Sequence, residues 1–113
     1  MVNASGPKMT MPTLSVLRAL LDDPSREMYG TEICAEAGLA SGTIHPILAR
    51  LEGMGWLVSR WEDVDPRTEG RPRRRYYRLS GSGVAQARDA VIRADARRAQ
   101  IQRGFPKLAG GSI

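Results

Sequence analysis

Five arginines and two tyrosines fall in the run Gly70-Arg71-Pro72-Arg73-Arg74-Arg75-Tyr76-Tyr77-Arg78-Leu79. A guanidinium is planar, permanently charged and able to donate two parallel hydrogen bonds, which suits it to phosphate oxygens better than any other side chain. In an extended backbone of period two, Arg75, Tyr77 and Leu79 share one face and Arg74, Tyr76 and Arg78 the other. Rings and aliphatic groups can then bury while charged ends reach outward. The chemistry indicated is the binding of a polyanion, nucleic acid before others. A solvated basic loop is the bland alternative for such a charge run.

The formal charge of +5 over 113 residues is unevenly placed. Residues 1–66 hold five basic and nine acidic side chains, whereas residues 67–113 hold twelve basic and three acidic. Catalysis finds little support: His45 is the only histidine, no nucleophile and base are paired, and no glycine loop cradles a phosphate. Cys34 is the only cysteine, without the partners of a disulfide or metal site, and reads as a small buried residue. No cofactor and no metal are expected. The chain lacks a run of about 18 apolar residues, so no membrane span is expected. Residues Met1 to Lys8 lack the apolar core of a signal peptide, which points to a cytoplasmic protein.

The elements that must position the arginines follow from periodicity. Leu14, Leu17 and Leu21, widened by Val16 and Leu20, predict a helix from Thr10 to Asp22 with apolar surface on more than one side. Such breadth suits both its own core and a second subunit. A shorter helix is predicted from about Tyr29 to Ala37, with Ile33, Cys34 and Ala37 inward and Gly38 as its stop. Ser41, Gly42 and Thr43 offer capping groups for a third helix over about 41–54, whose buried stripe is Ile44, Ile47, Leu48, Leu51 and Met54. Two helices joined by so tight a turn form a helix-turn-helix unit.

The opposite side of the third helix collects Gly42, Pro46, Ala49 and Gly53, edged by Thr43, Arg50, His45 and Glu52. Small residues let a backbone approach a large surface, and the polar groups at the margin can reach base edges or phosphates in a major groove. A small-residue contact with another protein is the alternative for this face. Trp56 to Glu62 predicts a strand, residues 63–72 a turn-rich loop, and the Arg-Tyr run a returning strand. The resulting hairpin, about 56–80, would be a wing. Trp56 is expected to anchor it, while Trp61 either lies exposed or contributes to an apolar effector site. A last helix is predicted from about Ser82 to Arg103, with Val84, Ala87, Val91 and Ala94 at heptad-like spacing and Ile92, Ala96, Ala99 and Ile101 on adjoining sides. Alone it would bury too little, so packing against a twin subunit is expected.

Over roughly residues 11–95 these pieces resemble the PadR-like transcriptional regulators. The resemblance rests on Met28-Tyr29-Gly30-Thr31-Glu32-Ile33, on Ser41 to Glu52 followed by Gly55, and on Gly70 to Ser80 leading through Gly83 into the last helix. It implies a homodimer whose last helix packs on the partner's first helix, with two winged domains reading a palindromic stretch of double-stranded DNA, and a small aromatic or drug-like effector that releases many members. It further implies DNA contacts from Ser41, Thr43, His45 and Arg50 on the recognition helix and from Arg71, Arg73 and Arg74 on the wing. Tyr29, Thr31 and Pro46 are added from their neighbourhood. Where the family usually has Tyr, this chain has His45. The dimerisation surface is expected to use Leu14, Leu17, Leu21, Val84, Val91, Ile92 and Ile101.

The fold expected is therefore mainly α with a small β-hairpin, a winged helix-turn-helix with a C-terminal dimerisation helix. Its divisions are a disordered tail (1–9), the winged domain (10–80), the dimerisation helix (81–104) and a flexible tail (105–113). The function expected is a homodimeric repressor. A winged-helix module that binds protein without specific DNA recognition is the alternative.

Overall fold

Thr10 opens the first helix by accepting a hydrogen bond from the Thr13 amide through its side chain, and Pro12 suits the first turn because its missing N–H is not needed there. The helix, α1 (Met11–Leu21), turns Leu14, Val16, Leu17 and Leu20 inward. A computed structural model describes the backbone of residues 9–111 and the side chains of residues 9–104. The expected N-terminal tail lies outside the described residues except for Met9, which packs partly buried against the core.

After α1 come β1 (Met28–Tyr29), α2 (Gly30–Ala37), α3 (Ser41–Gly53), β2 (Leu57–Trp61), α4 (Pro66–Glu69), β3 (Arg75–Leu79) and α5 (Gly81–Gly111). The strands form one antiparallel sheet in the order β1-β3-β2, with Met28 opposite Tyr77 and Tyr29 opposite Tyr76 on one side, and Leu57 opposite Leu79 on the other. This is the mainly helical winged helix-turn-helix with a small sheet and a C-terminal helix.

The core collects where α1, α2 and α3 meet the inner face of the sheet. Ile33, Ile44 and Leu48 are fully enclosed, joined by Leu51, Met28, Leu57 and Leu79. Trp56 belongs to the same cluster and roots the hairpin. Along β3 the alternation is as expected, with Tyr77 and Leu79 buried and Arg78 exposed. Cys34 and Ala37 are only partly buried.

Several details depart from the sequence reading. Met54, expected in the buried stripe of α3, instead follows the helix as its C-cap and is exposed, because the chain turns away there toward Gly55. Ser41 and Thr43 do not cap α3; Ala40 holds the cap position, and both hydroxyls are exposed on the helix. The strand β1 is two residues long, too short for any periodicity to announce. The loop before the arginines holds α4, which Asp65 caps through its side chain and Gly70 ends in the left-handed region. The last helix passes the expected end at Arg103. Gly104 would stop it only in a left-handed conformation, and among the described glycines positive φ occurs at Gly38, Gly55 and Gly70.

Two ties fix α5. The Ser80 hydroxyl donates to the Gly55 carbonyl at 2.7 Å and accepts from the Gly83 amide at 2.9 Å, so one side chain joins the base of the wing to the start of the helix. Further along, Arg18 of α1 meets Asp95 of α5 at 2.7 Å. That hydrogen bond lowers the Asp95 carboxyl pKa below its ordinary value.

Candidate nucleic-acid interface

Burying Ile44, Ile47, Leu48 and Leu51 forces the other side of α3 into solvent, since side chains three and four apart share a helix face. Gly42, Thr43, His45, Pro46, Ala49 and Arg50 all lie exposed there. A cleft of about 380 Å³ opens between the start of this helix, the β1–α2 junction and β3. Tyr29, Thr31, Ser41, His45 and Arg74 line it. Five residues expected to contact DNA, taken from three separate stretches of chain, thus converge on one concavity. Thr43, Pro46 and Arg50 do not line the cleft but occupy the exposed side of the same helix.

The outer face of the sheet is organised by rings and cations. Tyr29 and Tyr76, paired across strands, meet edge to face with centroids 5.6 Å apart. The Arg74 guanidinium stands 4.2 Å over the Tyr29 ring and that of Arg60 5.1 Å over the Tyr76 ring. Each such contact contributes about 0.5–1 kcal/mol at an exposed site and orients the cation by one flat face, leaving its edge able to donate. Glu27 receives a bidentate contact from Arg60 at 2.7 and 2.8 Å and has its carboxyl pKa lowered by it.

The wing tip is held differently. Glu62 accepts two bonds from Arg71 at 2.7 and 3.0 Å and a third from the Arg74 amide at 3.1 Å. Its pKa falls to about 2, chiefly through the Arg71 hydrogen bond, and the Arg71 guanidinium is raised in turn. Arg71 also lies 3.6 Å from Glu69. Arg71, expected to reach DNA, is thus engaged within the wing by two carboxylates. Arg73 donates only its Nε, to the Val64 carbonyl at 2.9 Å, which leaves both terminal nitrogens at an exposed tip.

The residues expected at a subunit interface divide by burial. Leu17 is wholly enclosed within its own chain, while Leu21, Val84 and Val91 are partly buried against that core. Ile92 and Ile101 stay exposed. A groove of about 470 Å³ between α1 and α5 brings together Met11, Leu14, Ala94 and Ile101, rimmed by Arg93 and Arg97. Met11, 62% exposed, was not anticipated, although its place at the start of α1 beside Pro12 was visible. Sequence reasoning placed Glu52 at the margin of α3 without its partners and missed Ser59 and Glu62, whose partners lie on other elements and leave no spacing signal.

The fold is similar to that of several solved regulators. A PadR family transcription regulator from hypervirulent Clostridium difficile R20291 superposes with a TM-score of 0.61 at 20% identity, covering 88% of this chain and 99% of that one. A MarR family transcriptional regulator from Silicibacter pomeroyi DSS-3 matches with a TM-score of 0.56 at 20% identity, over 85% of this chain and 62% of that one. A mutant of Lactococcus lactis ZitR gives a TM-score of 0.63 at 15% identity, over 92% of this chain and 65% of that one. The chain therefore spans less than two thirds of the last two proteins. No curated protein matches it. The sequence profile of the Transcriptional regulator PadR-like family matches residues 16–89, from the middle of α1 through the wing into α5. With its helix-turn-helix, its basic hairpin and this match, the chain belongs to the PadR-like family of winged helix-turn-helix, DNA-binding transcriptional regulators.

Proposed function

We propose that the protein acts as a homodimeric repressor that binds a palindromic operator. The observation that carries this reading is the exposed face of α3, poor in side chains at Gly42, Pro46 and Ala49 and bordered by Thr43, His45 and Arg50, with Arg74 of the wing facing the same cleft as His45. A helix so trimmed can lie deep in a major groove, where the polar margin reads base edges while the wing grips phosphates. Thr43 and His45 are the proposed base readers. Ser41, Arg50, Arg73 and Arg74 are the proposed phosphate contacts, with Tyr29, Thr31 and Pro46 shaping the surface. The groove between α1 and α5, with Leu14, Met11 and Ile101, is the proposed meeting place of the two subunits. Release by a small aromatic or drug-like ligand is the regulatory half of this reading, and operator affinity measured with and without such compounds tests it.

Selection of bound duplexes from a random pool at near-physiological salt tests the whole. An enriched inverted repeat is expected. If a dimer neutralises ~6–10 phosphates, its affinity falls by roughly 10³–10⁵ between 50 and 200 mM salt. No enrichment, together with a protein partner captured through nuclease treatment, would replace this reading with that of an interaction module.

A further inference from the structure

Arg75, the first residue of β3, reaches with a side chain 40% exposed to the junction of wing and recognition helix, on the wall of the same cleft as His45 and Arg74. Its Nε donates to the Ser59 hydroxyl at 3.0 Å, and a terminal nitrogen lies 3.3 and 3.4 Å from the two carboxylate oxygens of Glu52. The Ser59 hydroxyl donates to Glu52 in turn. The ring so closed joins three elements: α3 through Glu52, β2 through Ser59 and β3 through Arg75. Aromatic groups occupy the flanks of the guanidinium, with Trp61 at 5.3 Å and Tyr77 at 5.9 Å from ring centroid to cation. A guanidinium has five donors in a fixed fork, and these partners take its Nε side and one terminal nitrogen.

Glu52 is the harder residue to explain. It is a carboxylate on the helix that enters the groove, where its charge opposes the phosphates. Its geometry gives it another task. We propose that Glu52, Ser59 and Arg75 form a bracket fixing the wing relative to α3, so that Glu52 and Arg75 are positioning residues that set operator preference without being DNA contacts. This rests on the DNA-binding reading above. Phosphate contacts made by the wing dictate where α3 lies in the groove only while the two are joined rigidly, and base readout depends on that register.

The test compares the wild-type chain with Arg75→Gln and Glu52→Gln, the second retaining side-chain size. Thermal unfolding and sedimentation confirm that each variant is folded and assembled as the wild type is. Affinity is measured at several salt concentrations for the duplex enriched from a random pool and for a scrambled duplex. Both variants are expected to lower the ratio of the two affinities about tenfold, as loss of a charge-assisted hydrogen bond would. The slope of affinity against salt is expected to stay unchanged. The inference is overturned if Arg75→Gln weakens both duplexes alike and reduces the salt slope by about 1 per subunit, the mark of a phosphate contact. It is also overturned if Glu52→Gln tightens both duplexes equally, the mark of a merely repulsive charge, or if both variants keep the wild-type ratio. A wild-type chain that prefers no duplex at all overturns the DNA-binding reading and this inference with it.

Discussion

Arg71 and Arg73 are two positions apart and chemically identical, yet their surroundings differ: Glu62 takes both terminal nitrogens of Arg71, while Arg73 is held through Nε alone. Arg73, anchored by one bond from Nε, presents its terminal nitrogens at the wing tip, so Arg73→Ala should weaken every duplex alike and lower the salt slope by about 1 per subunit. Arg71→Ala should instead loosen the loop, seen as faster proteolysis between residues 62 and 74, because it frees Glu62 from its main partner. The same pair makes the wing sensitive to acid. The folded-state pKa of Glu62, about 2, lies below the unperturbed glutamate value of about 4.3, so ionised Glu62 stabilises the folded form fully above the higher value. That contribution is lost as pH falls from there toward 2. Fluorescence of the neighbouring Trp61 should report the transition, and Glu62→Gln should abolish this component while leaving neutral-pH binding of Trp56 to the core intact.

Among the elements, two glycines test how the helices are joined. Gly38 ends α2 at φ 70 with open space around it, so Gly38→Ala should cost only the conformational penalty, about 1–2 kcal/mol, read by urea unfolding. Gly83 is different in kind. A Cβ there would collide with the Trp56 carbonyl, and relief would require α5 to lift from the wing. Gly83→Ala should therefore cost more than Gly38→Ala, about 1–3 kcal/mol by overpacking alone. The long elements were legible because repetition averages over neighbours: Ile44, Ile47, Leu48 and Leu51 announce α3, and the alternation of Tyr77 and Leu79 announces the inner face of β3. The two-residue β1 was not, since its pairing depends on the register of Tyr76 and Tyr77 far along the chain. Asp65, Pro66 and Gly70 did carry the start and stop signals of α4, but they are ordinary turn residues as well. Within the candidate interface, the exposed residues of α3 were readable from one helix. The engagement of Arg71 by Glu62 and of Arg75 by Glu52 was not, because ion pairs between elements follow from tertiary packing alone.

At the level of the whole molecule, α5 reaches well beyond its own core. Val84, Ala87, Ala90 and Val91 pack against the chain's interior, whereas Ile101 remains 50% exposed beside the still more uncovered Met11. Replacing both by aspartate should turn the proposed dimer into a folded monomer by sedimentation. It should reduce operator affinity by about 100-fold or more, since the second half-site contact would no longer be intramolecular. Helicity by circular dichroism should change little, because Leu17 and the other enclosed residues are untouched.

Ser80 bonds at once to the residue before the wing and to the first turn of the long arm, so the two share a root with no slack between them. An arm of 31 residues at ~1.5 Å of rise each is roughly 46 Å long, and a tilt of about 5° at its base sweeps the far end through about 4 Å. The same leverage works in reverse. In the proposed dimer, whatever holds the distal ends of two arms apart would set the separation of the two reading heads, and a half-turn change in the distance between half-sites would be more than so stiff a frame could follow.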